Sequence, residues 1–338
     1  MTRTAHTVQL IRHRTGREPA ASLTASATVE LTEPGSGEVL VRTTHLQLTA
    51  VLADLMREDP KLPMYGFQLG APMWAPAIGV VVESHNPDLP VGTVVQHRSG
   101  WQDLAVLPVG QAYPVDSSLP SPCYALNQGV TAYHGMVDIA DVQLGDIVFV
   151  SGAAGGVGSM AGQVAKALGA ERVIGSAGGP GKAAYLVDEL GYDVGIDYRA
   201  GDLAGQLRKA APEGVDVFFD LVGGAAFEAA VDVAAPGARF ALCGAVSGQL
   251  DDSAGAHPRL DVMQAIVKEL VIRPFCTRHT AEQLGAWSER YSRWLAEGKV
   301  VYPHTTVKAR LDQSAAILDR LLAGEYRGNV LVELKDNS

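Results

Sequence analysis

The stretch from Asp146 to Ala170 limits what this chain can fold into more than any other. An apolar run of Ile147, Val148, Phe149 and Val150 leads into glycines at 152, 155 and 158. A helical pattern follows, with Val157, Met160, Ala161, Val164, Ala165 and Leu168 on one face. Strand, glycine turn and helix in that order are what a dinucleotide-binding turn requires. Gly152 permits the tight exit from the strand, Gly155 lets backbone approach a pyrophosphate, and Gly158 lets the helix pack closely on the sheet, with the anion at the positive helix N-terminus. A glycine-rich turn that binds nothing would carry the same glycines, but the flanking strand and helix favour the cofactor.

A chain of 338 residues exceeds one usual domain, and two are expected. Its 27 Lys and Arg against 37 Asp and Glu leave a net charge of -10, which repels polyphosphate backbones and excludes nucleic acid as a natural partner. The first residues lack the apolar core of a signal peptide, and no uncharged apolar run approaches the roughly 20 residues of a membrane span, so a cytoplasmic protein with no membrane partner is expected. Cys123, Cys243 and Cys276 are odd in number and far apart, which predicts reduced thiols rather than a disulfide framework or a paired-cysteine zinc knuckle.

Residues 5–120 read as an all-β module, with strands at 8–12, 38–48, 78–84, 93–97 and 103–108 separated by Gly and Pro turns. Between them, residues 56–77 carry four prolines with Tyr65, Phe67 and Trp74, a composition suited to an ordered irregular loop. Its aromatics either line a pocket or fill the module's own core. From about Ala125 strands and helices alternate. Strands are predicted at 172–176, 194–197, 215–220, 238–243 and 271–274, with a helix over 181–190. Such alternation implies a parallel sheet covered on both faces and wound with right-handed crossovers, a Rossmann domain. A helix over 312–322 and a strand over 329–334 close the chain, and the strand is assigned back to the N-terminal module. The domains are therefore 1–124, completed by 300–338, and 125–299. The fold class is α/β, a doubly wound parallel sheet beside a mostly-β domain.

An NAD-binding unit places Asp or Glu roughly 20 residues past the turn, at the end of the second strand, to hold the ribose hydroxyls. Here that place reads Ser176, Ala177, Gly178, Gly179, Pro180, Gly181, Lys182, with no acid before Asp188. Lys182 stands at a helix start, where a cation gains nothing from the helix dipole. A 2′-phosphate would give it a partner, and the pattern predicts NADP(H); a solvated surface lysine is the alternative. Glycine-bearing loops after the later strands, at Gly223 and Gly224 and at Cys243, Gly244 and Ala245, fall on the carboxyl edge, where ligands sit in open α/β folds. Cys243, with no partnered His, reads as a small buried hydrophobe rather than a catalytic thiol.

With these features in view, the chain resembles the zinc-independent medium-chain dehydrogenase/reductases, in the branch of the leukotriene B4 dehydrogenases, prostaglandin reductases and 2-alkenal reductases. The resemblance covers nearly the whole chain and is carried by Phe67-Gln68-Leu69-Gly70, Ser99-Gly100-Trp101-Gln102, Gly129-Val130-Thr131-Ala132-Tyr133, the glycine turn, Lys182-Ala183-Ala184-Tyr185-Leu186, Ile196-Asp197-Tyr198, Cys243-Gly244-Ala245-Val246-Ser247 and residues 324–330. It implies a GroES-like N-terminal domain, NADP(H) in the cleft beside the Rossmann domain, frequent dimerisation, and reduction of the carbon–carbon double bond of α,β-unsaturated aldehydes or ketones. By matching position, Gly152, Ala154, Gly155, Gly156 and Val157 meet the pyrophosphate, and Lys182 and Tyr198 meet the 2′-phosphate, although Tyr198 at a strand end also suits simple packing. Cys243, Gly244, Ala245 and Ser247 with Phe275 and Cys276 face the nicotinamide, and Thr131, Ser176, Gly223 and Asn329 are added to the cofactor's contacts.

Zinc is not expected, because residues 66–83, where zinc-dependent relatives carry Gly-His-Glu, hold no His or Cys. The chain departs from the branch at Leu221 and Tyr326, each in place of Asn, and at Gln249 in place of Tyr. Gln249 cannot act as a phenolic acid, but its amide can donate a hydrogen bond to a substrate oxygen. Tyr65 in the aromatic loop is the other candidate donor, with packing as its alternative role. Two further functions remain open, a quinone reductase or pathway-specific ene-reductase, and a non-catalytic NADPH-sensing protein.

Overall fold

A computed structural model of the protein describes residues 3–250 and 257–335. The chain begins with strands β1 (Arg3–Leu10), β2 (Thr24–Leu31) and β3 (Glu38–Leu48), then a single helical turn α1 (Val51–Leu55). Strands β4 (Ala77–Ser84), β5 (Val94–His97), β6 (Leu104–Pro108) and β7 (Tyr113–Pro114) follow. The all-β expectation for residues 5–120 thus needs one correction. α1 is five residues, too short for a 3.6-residue period to register in sequence, and it forms because Leu52, Ala53 and Leu55 reach the core from one turn. β2 also lacks a clean apolar alternation, because most of it stays accessible while it pairs antiparallel with β1.

The middle of the chain opens with α2 (Gly129–His134) and alternates thereafter. β8 (Ile147–Val150), α3 (Gly158–Leu168), β9 (Arg172–Ala177), α4 (Pro180–Asp188), β10 (Val194–Asp197), α5 (Leu203–Ala210) and β11 (Val215–Asp220) come first. α6 (Gly224–Val233), β12 (Ala234–Leu242), α7 (Val246–Leu250), α8 (Val262–Val267), β13 (Val271–Pro274) and α9 (Ala281–Ala296) complete it. The chain ends with β14 (His304–Ala309), α10 (Ser314–Leu322) and β15 (Asn329–Leu334).

Two compact units result, one running to Asn127 and resuming at His304, the other holding Gln128–Pro303. In the first, a seven-stranded sheet runs β14-β15-β3-β4-β5-β7, with β6 also paired to β3. β15 joins β3 antiparallel, Val330 opposite Leu48 and Glu333 opposite His45. Its main core gathers Leu46, Leu48, Leu52, Met56, Trp101, Leu318 and Val332. Phe67 is buried there and meets Trp74 edge-on at 5.8 Å, while the Arg98 guanidinium lies 4.6 Å over the Trp74 ring. Core filling is therefore the role of these two loop aromatics.

The second unit is a six-stranded parallel sheet in the order β10-β9-β8-β11-β12-β13. That is the 3-2-1-4-5-6 order of a doubly wound nucleotide-binding sheet, and the order reverses between β8 and β11. Phe149, Phe218 and Phe240 meet from three neighbouring strands in its core, the first two stacked with centroids 5.1 Å apart and the last two edge-to-face at 5.2 Å. The carboxyl edge at the switch point carries the glycine turn. Among the described residues no helix is long and apolar enough to cross a membrane.

Candidate functional site

The turn after β8 has the geometry its glycines imply. Gly152 sits at φ +59, in the left-handed region. A Cβ on Gly158 would lie 2.4 Å from the Gly152 carbonyl oxygen and 2.7 Å from Ala153 Cα, so α3 starts as close to the turn as backbone permits. A Cβ on Gly155 would meet only the Gly152 oxygen, at 3.3 Å, and Gly155 is exposed. One glycine is needed for packing; the other leaves open backbone. The turn is pinned to the second strand by Ala153 N–H donating to the Ser176 carbonyl at 2.9 Å, and no side chain caps α3 at Val157. A helix start without a side-chain cap, beside exposed glycine backbone, is what an anionic group requires.

Beside the turn, Ser151 and Asp220 tie the ends of β8 and β11 together. Ser151 Oγ donates to Asp220 Oδ1 at 2.7 Å and accepts from Leu221 N–H at 2.8 Å. The same carboxylate oxygen accepts from Val222 and Gly223 N–H, each at 3.0 Å. Burial pushes the Asp220 pKa up, and these donors oppose the shift. The next loop is zipped onto this one: Cys243 and Gly244 N–H donate to the Asp220 carbonyl, and Ser247 Oγ donates to the Val222 carbonyl at 2.5 Å. The residues read from sequence as Gly223, Cys243, Gly244, Ala245 and Ser247 therefore form one rigid wall.

At the other end, Ser176 is buried in β9, and the chain turns through Gly178 and Gly179 into α4, whose first turn holds the half-buried Lys182. A Cβ on Gly178 would lie 3.0 Å from both the Tyr198 hydroxyl and Arg199 Nε. Asp197 spends one carboxylate oxygen on the N–H groups of Gly179 (2.7 Å) and Arg199 (2.9 Å), which fixes this corner. Tyr198 is 48% exposed, with the Arg199 guanidinium 5.9 Å from its ring centre, so its ring is not consumed by packing. Arg199 is a member of this group that sequence reasoning overlooked. Its signal was present, since a residue after Tyr198 at the end of the third strand neighbours the end of the second.

On the far side of the edge, Phe275 N–H donates to the Leu242 carbonyl at 3.1 Å, and its ring stands 6.2 Å from Phe219 and 5.4 Å from His134. Cys276 is exposed. Burial and the neighbouring Asp220 push the Cys243 thiol up to about 12, so it stays protonated and is no nucleophile. Thr131 is buried, with Oγ1 2.9 Å from His279 Nε2. His279 is the second residue overlooked, because a lone histidine outside any motif reads as a surface or core group.

Asn329 is 0% exposed, and its Oδ1 accepts from Gln47 Nε2 at 2.9 Å, which ties β15 to β3. Tyr65 is 96% exposed in its loop, so packing into the core of its own unit is not its role. Gln249 belongs to α7, and its side chain lies outside the described residues. Among the described residues no three His, Cys, Asp or Glu side chains cluster so as to hold a metal ion.

The sequence model of a family described as zinc-binding dehydrogenase matches residues 156–296, and that of the N-terminal domain of oxidoreductase matches residues 6–115. The chain is 30% identical to the NADPH-dependent curcumin reductase of Escherichia coli, over 90% of each chain. It is 33% identical to prostaglandin reductase 1 of Bos taurus, over 90% of this chain and 92% of that one. The crystal structure of CurA from Vibrio vulnificus in complex with NADPH superimposes with a TM-score of 0.89 at 31% identity, covering 98% of this chain and 99% of the other.

Proposed function

The chain belongs to the zinc-independent medium-chain dehydrogenase/reductases, and on that footing we propose that it reduces the carbon–carbon double bond of α,β-unsaturated aldehydes or ketones. It is an oxidoreductase with NADP(H) as its cofactor. The observation that carries the reading is the row of features along one sheet edge. Open glycine backbone at Gly155 is followed by a corner where Gly178 makes room beside Tyr198 and Arg199, and on the other flank by the wall of Gly223 and residues 243–247. A hydroxyl and a guanidinium at one corner, with Lys182 in the first turn of the adjoining α4, suit the 2′-phosphate, which accepts several charge-assisted hydrogen bonds.

Held along this edge by the glycine turn, the Gly178 corner and the wall of residues 243–247, NADPH would supply the hydride that the substrate's β-carbon takes up. The chain's part is to bind, orient and exclude. The Ser151–Asp220 network keeps the wall rigid, so little reorganisation accompanies the reaction. Cys243, held as a thiol, offers an apolar neighbour rather than a competing nucleophile. The negative charge that develops on the carbonyl oxygen calls for a hydrogen-bond donor, and the α-carbon takes its proton from water. The experiment is NADPH oxidation with a panel of enals, enones and quinones, using 4-deuterated NADPH. Deuterium at the substrate's β-carbon supports olefin reduction. Turnover with quinones alone favours a quinone reductase, and tight NADPH binding without turnover favours the sensing protein.

We also propose a cytoplasmic homodimer. The three thiols are unpaired, as a reducing compartment would leave them. α8 exposes Val262, Met263, Ile266 and Val267, each at least 60%, close in sequence to β13, which among the described residues pairs on one side only. Apolar surface beside an open strand edge suits a second copy of the chain. Light scattering should report a dimer, and Ile266→Glu combined with Val267→Glu should give a folded monomer; a monomeric wild type would refute this.

A further inference from the structure

α2 and the segment entering α9 hold a polar pair, Thr131 and His279, of which the reductase reading leaves His279 unused. Gly135, just after α2, can have no Cβ, since one would lie 2.3 Å from the Phe219 ring and 2.8 Å from that of Phe275. This pins α2 against the carboxyl ends of β11 and β13. Thr131 lies one turn earlier, and His279 approaches it from the segment after β13, with Nε2 2.9 Å from Thr131 Oγ1.

The ring's other nitrogen decides the direction of that bond. His279 Nδ1 is shut off from solvent and has no hydrogen-bond partner. A buried N–H without an acceptor is rarer in folded proteins than an unmet acceptor, so the proton belongs on Nε2. Burial lowers the ring's pKa, with His134 adding to the effect, which keeps it neutral with a single proton. His134 stands edge-on to His279 at 5.8 Å, and its own Nδ1 lies 2.6 Å from Asp138 Oδ2 and 2.9 Å from Gln283 Nε2. His279 Nε2 therefore donates to Thr131 Oγ1. A hydroxyl has one proton. With its oxygen already accepting, Thr131 must donate elsewhere, and among the described residues His279 is its side chain's only partner.

Resting on the reductase reading, we propose that His279 is a positioning residue, which occupies the acceptor side of Thr131 and turns that hydroxyl into a donor for a carbonyl oxygen at the nicotinamide end. The oxygen is that of the cofactor's carboxamide or of the enone, and the two are separable. NADPH affinity is measured first without substrate, by fluorescence titration of the wild type, Thr131→Val, His279→Phe and the double variant. Single-turnover oxidation of bound NADPH by an enone follows. Loss of one hydrogen bond corresponds to about five- to tenfold. If the carboxamide is the acceptor, Kd rises by that factor in each single variant. If the enone is, Kd stays put and the single-turnover rate falls instead.

In both cases the double variant is no worse than either single, and Thr131→Ser and His279→Gln, which keep the donors, recover most of the loss. Thermal melts certify folding, and His279→Asn, whose amide is too short to reach Thr131, replaces a His279→Phe that fails to fold. Wild-type Kd and rate in the His279 variants, or losses that multiply in the double, would overturn the inference. So would an unchanged Kd across the set in a protein that reduces no enone. A protein that reduces none yet shows the coupled Kd losses keeps this inference and loses only the assigned reaction.

Discussion

Gly155→Ala and Gly158→Ala place the same methyl group three residues apart and should have opposite consequences. At Gly158 the new Cβ would stand 2.4 Å from the Gly152 carbonyl oxygen and 2.7 Å from Ala153 Cα. Both are backbone atoms that cannot rotate away, and ordinary contact is about 3.5 Å, so α3 must retreat by roughly 1 Å. Overpacking of this kind costs about 1–3 kcal/mol, and at ~2–4 °C per kcal/mol for a unit of this size the melting temperature should fall by ~2–12 °C. At Gly155 the nearest atom is the Gly152 carbonyl oxygen at 3.3 Å and the residue is exposed, so the oxygen need yield only a few tenths of an ångström and the stability loss should stay below about 1 kcal/mol. The methyl instead fills the space through which a pyrophosphate reaches the backbone, and NADPH affinity should fall at least tenfold, about 1.4 kcal/mol. Thermal melts followed by circular dichroism and NADPH fluorescence titrations read the two quantities separately. A Gly155→Ala protein that is folded and binds NADPH with wild-type affinity would refute the assignment of the turn, and a Gly158→Ala protein with an unchanged melt would refute the packing argument.

Lys182→Ala and Arg199→Ala should each weaken NADPH by roughly 10- to 100-fold, the worth of a charge-assisted hydrogen bond, while sparing NADH. Equal losses for the two cofactors would show that these cations hold something other than the 2′-phosphate. His97 should make the β-rich unit acid-sensitive. It is buried with Nε2 unpartnered, and burial holds its pKa down at about 4 against an ordinary 6.5. The unfolded chain takes up a proton near pH 6.5 that the folded state refuses until about pH 4, so the stability is present above pH 6.5 and is lost as pH falls through that window. At full effect the gap corresponds to roughly 3 kcal/mol. Urea unfolding between pH 7 and 4 measures it, and His97→Gln, which keeps an acceptor for the Ser99 N–H, should flatten the profile; an identical slope in the variant would sink the claim.

Much of the Rossmann unit was legible in the residues, because its elements follow local rules. β10 and β11 begin and end where their apolar runs do, and the glycine turn announces itself by flanking strand and helix. α1 and β2 were not legible, the first for shortness and the second because an accessible strand shows little alternation. Asn329 was recognised by its motif, but no local pattern showed that its Oδ1 would accept from Gln47, 282 residues away in sequence.

The sequence by itself determined the chemistry of the turn and the NADP preference, because each rests on residues adjacent in the chain, three glycines in one case and a missing acid with Lys182 in the other. Only tertiary structure decided the rest of the site. Arg199 reaches Gly178 because β10 pairs with β9, and His279 reaches Thr131 across 148 residues because α2 packs on the ends of β11 and β13. A side chain's partners across a sheet edge depend on strand order and helix packing, and those are properties of the whole fold rather than of any window of sequence.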